Sequence, residues 1–182
     1  MEVIPTKLEG VYIIEPKVFK DARGYFFESY SKREFDTKIG KVDFVQDNES
    51  CSTKGVLRGL HFQKPPFSQA KLVRCVLGRV RDVAIDLRKD SKTFGEYVAV
   101  ELSEENHRQF FIPKGFAHGF EVISEVAVFQ YKCDEYYHPE SEGGLDPFDA
   151  ELGIEWQTKI EEAIVSEKDK KHPKFKEFQS PF

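Results

Sequence analysis

Val80-Arg81-Asp82-Val83-Ala84-Ile85-Asp86-Leu87 reads as a strand: Val83, Ile85 and Leu87 fall on one face, and Asp82, Ala84 and Asp86 on the other. The same two-residue period recurs downstream. Val98, Val100 and Leu102 alternate against Tyr97, Ala99 and Glu101, and Val126 and Val128 point opposite to Ala127, Phe129 and Tyr131. Upstream, Val11-Tyr12-Ile13-Ile14 is stopped by Pro16, and Tyr25-Phe26-Phe27-Glu28-Ser29-Tyr30 follows the turn-forming Lys20-Asp21-Ala22-Arg23-Gly24. Turn signals separate the runs at Leu77-Gly78, Thr93-Phe94-Gly95 and Pro113-Lys114-Gly115. Many short strands at this spacing predict an antiparallel sandwich or barrel. Seventeen Phe residues suit its strands and any aromatic-lined pocket.

Helix signals are few and peripheral. Ser31-Lys32-Arg33-Glu34 has the form of a capping box before Phe35, with an end near Gly40. Ile160, Ala163 and Ile164 predict a second short helix over 160–170. Beyond it, Lys170 to Phe182 carries His172-Pro173 and three Phe residues, an arm expected to pack on the body.

With 27 basic and 32 acidic side chains among 182 residues, the net charge of −5 argues against a nucleic-acid polymer or an anionic membrane as partner. The start lacks a basic segment leading into an apolar one, and no apolar run approaches a membrane span. Cys51, Cys75 and Cys133 are odd in number and widely spaced, which predicts neither a disulfide framework nor a zinc ribbon. Together these features predict a soluble cytoplasmic protein.

Chemistry concentrates in a few segments. Leu57-Arg58-Gly59-Leu60-His61-Phe62-Gln63 joins a cation, a glycine and an imidazole, and imidazole moves protons near neutral pH. Gly115-Phe116-Ala117-His118-Gly119-Phe120 adds a second His, although alone it reads equally as a tight turn. Neither His begins a His-x-His pair, since Gln63 and Phe120 stand two residues on, so the site reads as metal-free. Arg23, Arg58, Lys71, Arg74, Arg79 and Arg81 could hold phosphates if several converged; singly, each is better read as a surface ion-pair partner. No phosphate-binding or dinucleotide-binding glycine loop is present. Tyr131 shares a strand face with Phe129, and a tyrosine facing a histidine would make an acid/base pair without a cofactor. In a regular strand Arg58 and His61 would face opposite sides. Either Gly59 marks a bulge or Arg58 serves a neighbouring subunit.

Read in order, the chain resembles the dTDP-4-dehydrorhamnose 3,5-epimerase family. The blocks are Asp21-Ala22-Arg23-Gly24-Tyr25-Phe26-Phe27-Glu28, Gln46-Asp47-Asn48, the His61 and His118 segments, Ala70-Lys71-Leu72-Val73-Arg74, Tyr131-Lys132-Cys133, Glu142-Gly143-Gly144 and Ser166-Glu167-Lys168-Asp169. The resemblance implies a mainly β fold, a cupin-like jelly roll with short peripheral helices, forming a homodimer. It also implies one epimerase domain over 1–182, with N-terminal strands and a short helix over about 1–50, a jelly-roll core over 51–150 and a C-terminal helix or arm over 151–182. The implied substrate is dTDP-4-dehydro-6-deoxy-D-glucose, with no cofactor, because C3 and C5 both lie α to the C4 ketone.

By the same resemblance, His61 is the base, Asp169 its carboxylate partner, and Tyr131 the donor on the opposite sugar face. Lys71 would stabilise the enolate oxygen and His118 would contact the sugar. Arg23 and Arg58 would hold nucleotide and pyrophosphate groups, and Lys168 and Glu142 would line the site. Glu28, Gln46 and Asn48 would contact the nucleotide, Tyr137 would stack on thymine, and Phe26 would supply an apolar wall. The alternatives are a relative that epimerises only C3 or only C5, a 3,4-ketoisomerase, or a non-catalytic sugar-binding cupin. A metal-dependent cupin is disfavoured by the missing His-x-His.

Overall fold

The computed structural model describes residues 1–182. Its strands are β1 (Glu2–Pro5), β2 (Tyr12–Glu15), β3 (Phe19–Asp21), β4 (Gly24–Phe26), β5 (Gln46–Thr53), β6 (Leu57–Gln63) and β7 (Lys71–Leu77). They continue with β8 (Arg79–Asp86), β9 (Tyr97–Ser103), β10 (Gln109–Ile112), β11 (Phe116–Val122), β12 (Val126–Cys133) and β13 (Glu142–Gly144), and one helix, α1 (Lys32–Lys38), lies between β4 and β5. Six strands pair in the order β1-β2-β10-β7-β12-β5, five in the order β13-β6-β11-β8-β9, and β3 with β4 makes a separate hairpin. All of these pairings are antiparallel. The two large sheets pack face to face as a jelly roll. No helix is long and apolar enough to cross a membrane.

Apolar side chains fill three layers. Val73, Phe110 and Phe129 from one sheet meet Ala84, Leu102 and Phe120 from the other in the space between them. On the outer face of the five-stranded sheet, Val83, Ile85 and Leu87 are sealed by Trp156, Phe175, Phe178 and Phe182 from the C-terminal arm. On the outer face of the six-stranded sheet, Leu72 and Phe111 are covered by Phe35 of α1. The alternation of β8 therefore separates two buried faces. Its apolar face lies under the arm, while its other face carries Asp82, fully buried, into the interior.

Two local expectations need correction. Ser31 caps α1 without a side-chain hydrogen bond, and Glu34 turns to the Met1 amino group and Lys38, so the capping box is not formed. The helix expected over 160–170 is replaced by 3-10 turns at Ile160–Glu162 and Asp169–Lys171. Between them Ile164 accepts from Leu57 N–H and donates to Gly55 O, so the sheet edge satisfies backbone groups that a helix would have paired internally.

Candidate active site

The site begins at an irregularity in β6. Gly59 has φ +135°, and the β6–β11 register shifts between His118 and Phe120. A Cβ on Gly59 would lie 2.6 Å from Gly119 Cα, so the two glycines let these backbones close up. The bulge lets Arg58 and His61 share a face. Past the bulge, His61 opposes His118 on the neighbouring strand, while Arg58 reaches Ser52 Oγ on β5 at 3.1 Å and lies near enough to Tyr131 to oppose the rise in its pKa.

His61 Nε2 and Asp169 Oδ1 are 2.8 Å apart, which leaves Nδ1 as the ring nitrogen free to take a proton. Asp169 comes from the C-terminal arm, and its other oxygen accepts the Gly59 N–H at 3.3 Å. Burial alone would raise its carboxyl, but His61 and the Gly59 N–H together hold it below the usual carboxylate range. The imidazole is about one-third exposed and the carboxylate 5%.

A pocket of about 250 Å³ opens over this pair. His61 and Glu142 line it from the five-stranded sheet, and Gln46, Asn48, Lys71 and Tyr131 from the six-stranded one. The Lys71 ammonium lies 5.7 Å from the Tyr131 ring centre. Burial lowers the Lys71 pKa, opposed by nearby Cys133, Asp82 and Glu142, and burial raises that of Tyr131. At the mouth, Tyr137 donates to Glu142 Oε2 at 2.6 Å and Lys168 pairs with the same oxygen. Burial would raise the Glu142 carboxyl, but these two partners hold it low.

Two groups of expected residues lie elsewhere. His118 is 8% exposed behind the pocket, bonded through Nε2 to Asp82 Oδ2 at 2.9 Å. Arg23, Phe26 and Glu28 are outside the pocket: Arg23 is paired with Asp21, Phe26 is 70% exposed on the β3–β4 hairpin, and Glu28 lines a depression against α1. Asp82 and His172 escaped the sequence reading. Asp82 left a usable signal, an acid in the middle of an apolar strand. His172 left none, because only the fold brings it to Asp169. A roomier cavity on the outer face of the six-stranded sheet is lined by Asp47, Glu49, Arg74 and Lys132, and holds no imidazole.

The family model described as dTDP-4-dehydrorhamnose 3,5-epimerase matches residues 5–177. The chain is 52% identical over 176 residues to the dTDP-4-dehydrorhamnose 3,5-epimerase of Shigella flexneri, covering 96% of each chain. It is 58% identical over 157 residues to the protein of that name from Salmonella typhimurium, covering 86% of each. Among solved structures, the dTDP-4-dehydrorhamnose 3,5-epimerase of Elizabethkingia anophelis superposes with a TM-score of 0.93 at 53% identity, covering 97% of both chains. The dTDP-6-deoxy-D-glucose-3,5-epimerase of Legionella pneumophila, in complex with dTDP-4-keto-L-rhamnose, gives 0.94 at 47% identity, covering 98% of this chain and 94% of that one.

Proposed function

We infer from its membership of the dTDP-4-dehydrorhamnose 3,5-epimerase family that the chain is a sugar epimerase, inverting C3 and C5 of dTDP-4-dehydro-6-deoxy-D-glucose. The observation that carries the mechanism is the placement of His61 and Tyr131 on opposing sheets with one pocket between them. We propose that His61 Nδ1 removes the α-proton while Asp169 fixes the ring and stabilises the imidazolium. Negative charge passes to the C4 oxygen, where Lys71 meets the enolate. Tyr131 then gives a proton to the other face of the carbon. Two rounds, at C3 and C5, turn the sugar into its L-rhamno form.

The pocket is below the roughly 300–1,000 Å³ of a drug-sized ligand site, so it takes the sugar and leaves the nucleotide to the open rim. There Tyr137 would stack on thymine, with Gln46, Asn48, Glu142 and Lys168 beside it and Arg58 toward the pyrophosphate. His118, held by Asp82 behind the pocket, does not reach the sugar and instead backs the wall on which His61 sits. We further propose that 1–182 works as one domain of a cytoplasmic homodimer. The β3–β4 hairpin exposes Phe19, Tyr25 and Phe26, and it would deliver Arg23, Phe26 and Glu28 to the partner's pocket. Mixed dimers test this: His61→Ala and Arg23→Ala chains, each inactive alone, should regain activity together, and no recovery would remove the shared site.

Incubation with dTDP-4-dehydro-6-deoxyglucose in deuterated water tests the reaction. NMR should find label at both C3 and C5 of an L-configured product. Label and inversion at one carbon only would make the chain a mono-epimerase, and a displaced ketone would make it a ketoisomerase.

A further inference from the structure

Behind the proposed base lies a third group that the epimerisation leaves idle. The His172 ring sits over Gly144, where any Cβ would collide with it, and Gly144 pairs with His61 across β13 and β6. The missing side chain at 144 is therefore what gives the ring its seat. His172 meets His61 edge-on, with ring centres 5.8 Å apart. Its Nε2 is buried without a hydrogen-bond partner and faces Asp169 Oδ1 across 3.6 Å, too far for a hydrogen bond. The same oxygen holds His61 Nε2 at 2.8 Å. Two imidazole nitrogens and one carboxylate oxygen thus lie within 4.8 Å of one another.

We propose that His61, Asp169 and His172 form an inhibitory site for a divalent transition-metal ion of the zinc class. Two imidazoles and a carboxylate are a ligand set that zinc takes with a fourth position left open. Bonds of about 2.0–2.1 Å put tetrahedral ligand atoms about 3.3 Å apart, and the separations of 2.8 and 3.6 Å straddle that value. The ion enters through the pocket, where His61 is partly exposed, and takes the lone pair of His61 Nε2. The proton Nε2 shared with Asp169 leaves to solvent while Nδ1 takes one up, so the neutral ring is metal-bound at one nitrogen and protonated at the other. The imidazole then keeps no lone pair for the α-proton, and its carboxylate is turned to the ion. Asp169 and Glu142 favour a cation here, while Lys168 opposes one and is itself held by Glu142. Nitrogen donors select zinc, cobalt, nickel or copper over magnesium or calcium.

Cobalt titration of the full chain reads the site without any turnover. One equivalent should raise the visible band of a tetrahedral ion, zinc should abolish it, and millimolar magnesium should leave it unchanged. In His172→Asn and His172→Gln, cobalt affinity should fall at least about tenfold, since even outer partners of metal ligands contribute that much. The zinc concentration that halves epimerisation should rise by a similar factor, each variant being compared with its own metal-free rate. His138→Ala, at the surface His138–Glu140 pair, should behave as wild type. Unchanged affinity in both His172 variants, loss in His138→Ala, or no cobalt band overturns the site. Should the variants fail to fold, pulsed EPR of copper-loaded wild type decides, two coupled imidazoles supporting the site and fewer overturning it. Metal binding with these dependences in a chain that turns over no sugar would sink the epimerase reading and leave the metal site standing.

Discussion

The molecule holds two histidine–aspartate pairs of nearly equal length, His61–Asp169 at 2.8 Å and His118–Asp82 at 2.9 Å, and they are electrostatic opposites. Asp169 has a second donor in the Gly59 N–H and is held below the usual carboxylate range. Asp82 leaves Oδ1 buried without a partner, and burial pushes its carboxyl up despite His118. His61 opens to the pocket, whereas His118 is sealed at 8% exposure against Phe129. Pair distance alone therefore does not make a base. The donors on the carboxylate and the ring's access to substrate separate the two.

Removing the open imidazole should have the largest effect. His61→Ala is expected to lower both epimerisation and solvent exchange by about 10²–10⁴, with dTDP affinity by calorimetry little changed. Normal exchange at both carbons in this variant would transfer the base to another residue. Tyr131→Phe should affect only the second half of the reaction. The variant should keep washing deuterium into substrate through His61 while forming little inverted product. Inversion at the wild-type rate would hand the second proton to water or another group.

Asp169→Asn should be milder or comparable, because it keeps the shape of the pair and removes the charge supporting imidazolium. A rate equal to wild type would mean that the geometry of this pair has no catalytic consequence. The comparison between the two pairs would then fail at its stronger member.

The His61–Asp169 pair was implied by the family blocks before folding and the His118–Asp82 pair was not, and what escaped did so for definable reasons. The strand period of β8 was readable because it is local. That both of its faces are buried was not, because the cover over Val83, Ile85 and Leu87 comes from Phe175, Phe178 and Phe182 far along the chain. His61, Lys71, Tyr131 and Glu142 reach one pocket as the family blocks implied. Arg23 and Phe26 on the β3–β4 hairpin, and Glu28 just beyond it, do not. The Ile160–Ile164 spacing misled because backbone pairing with Gly55 and Leu57 outweighs a short apolar pattern whose Ile residues stay more than half exposed. Asp82 and His172 depend on partners separated in sequence, which periodicity cannot reach.

The smallest expected effect is on stability, and its sign separates the pairs. Asp169 titrates lower in the folded chain than in the unfolded one, where a carboxyl sits near about 3.9. Its contribution is present above that value and is lost as pH falls through the lower folded value. Asp82 runs the other way. Its folded carboxyl titrates higher, so the folded state binds the extra proton and stability declines as pH rises from about 3.9 toward the raised value. Each group can tilt the curve by at most about 1.4 kcal/mol per pH unit. Asp82→Asn keeps an oxygen for His118 and removes the ionisation, so relative to wild type it should gain stability between pH 4 and pH 7. Asp169→Asn should fall behind wild type as pH rises from the lowered folded value through about 3.9, and stay lower by a constant amount above about pH 5. Urea midpoints from about pH 2 to pH 7 would measure both differences. If the two variants ran parallel to wild type, or moved in the same direction, the two carboxyls would share one environment and the contrast between the pairs would have no electrostatic basis.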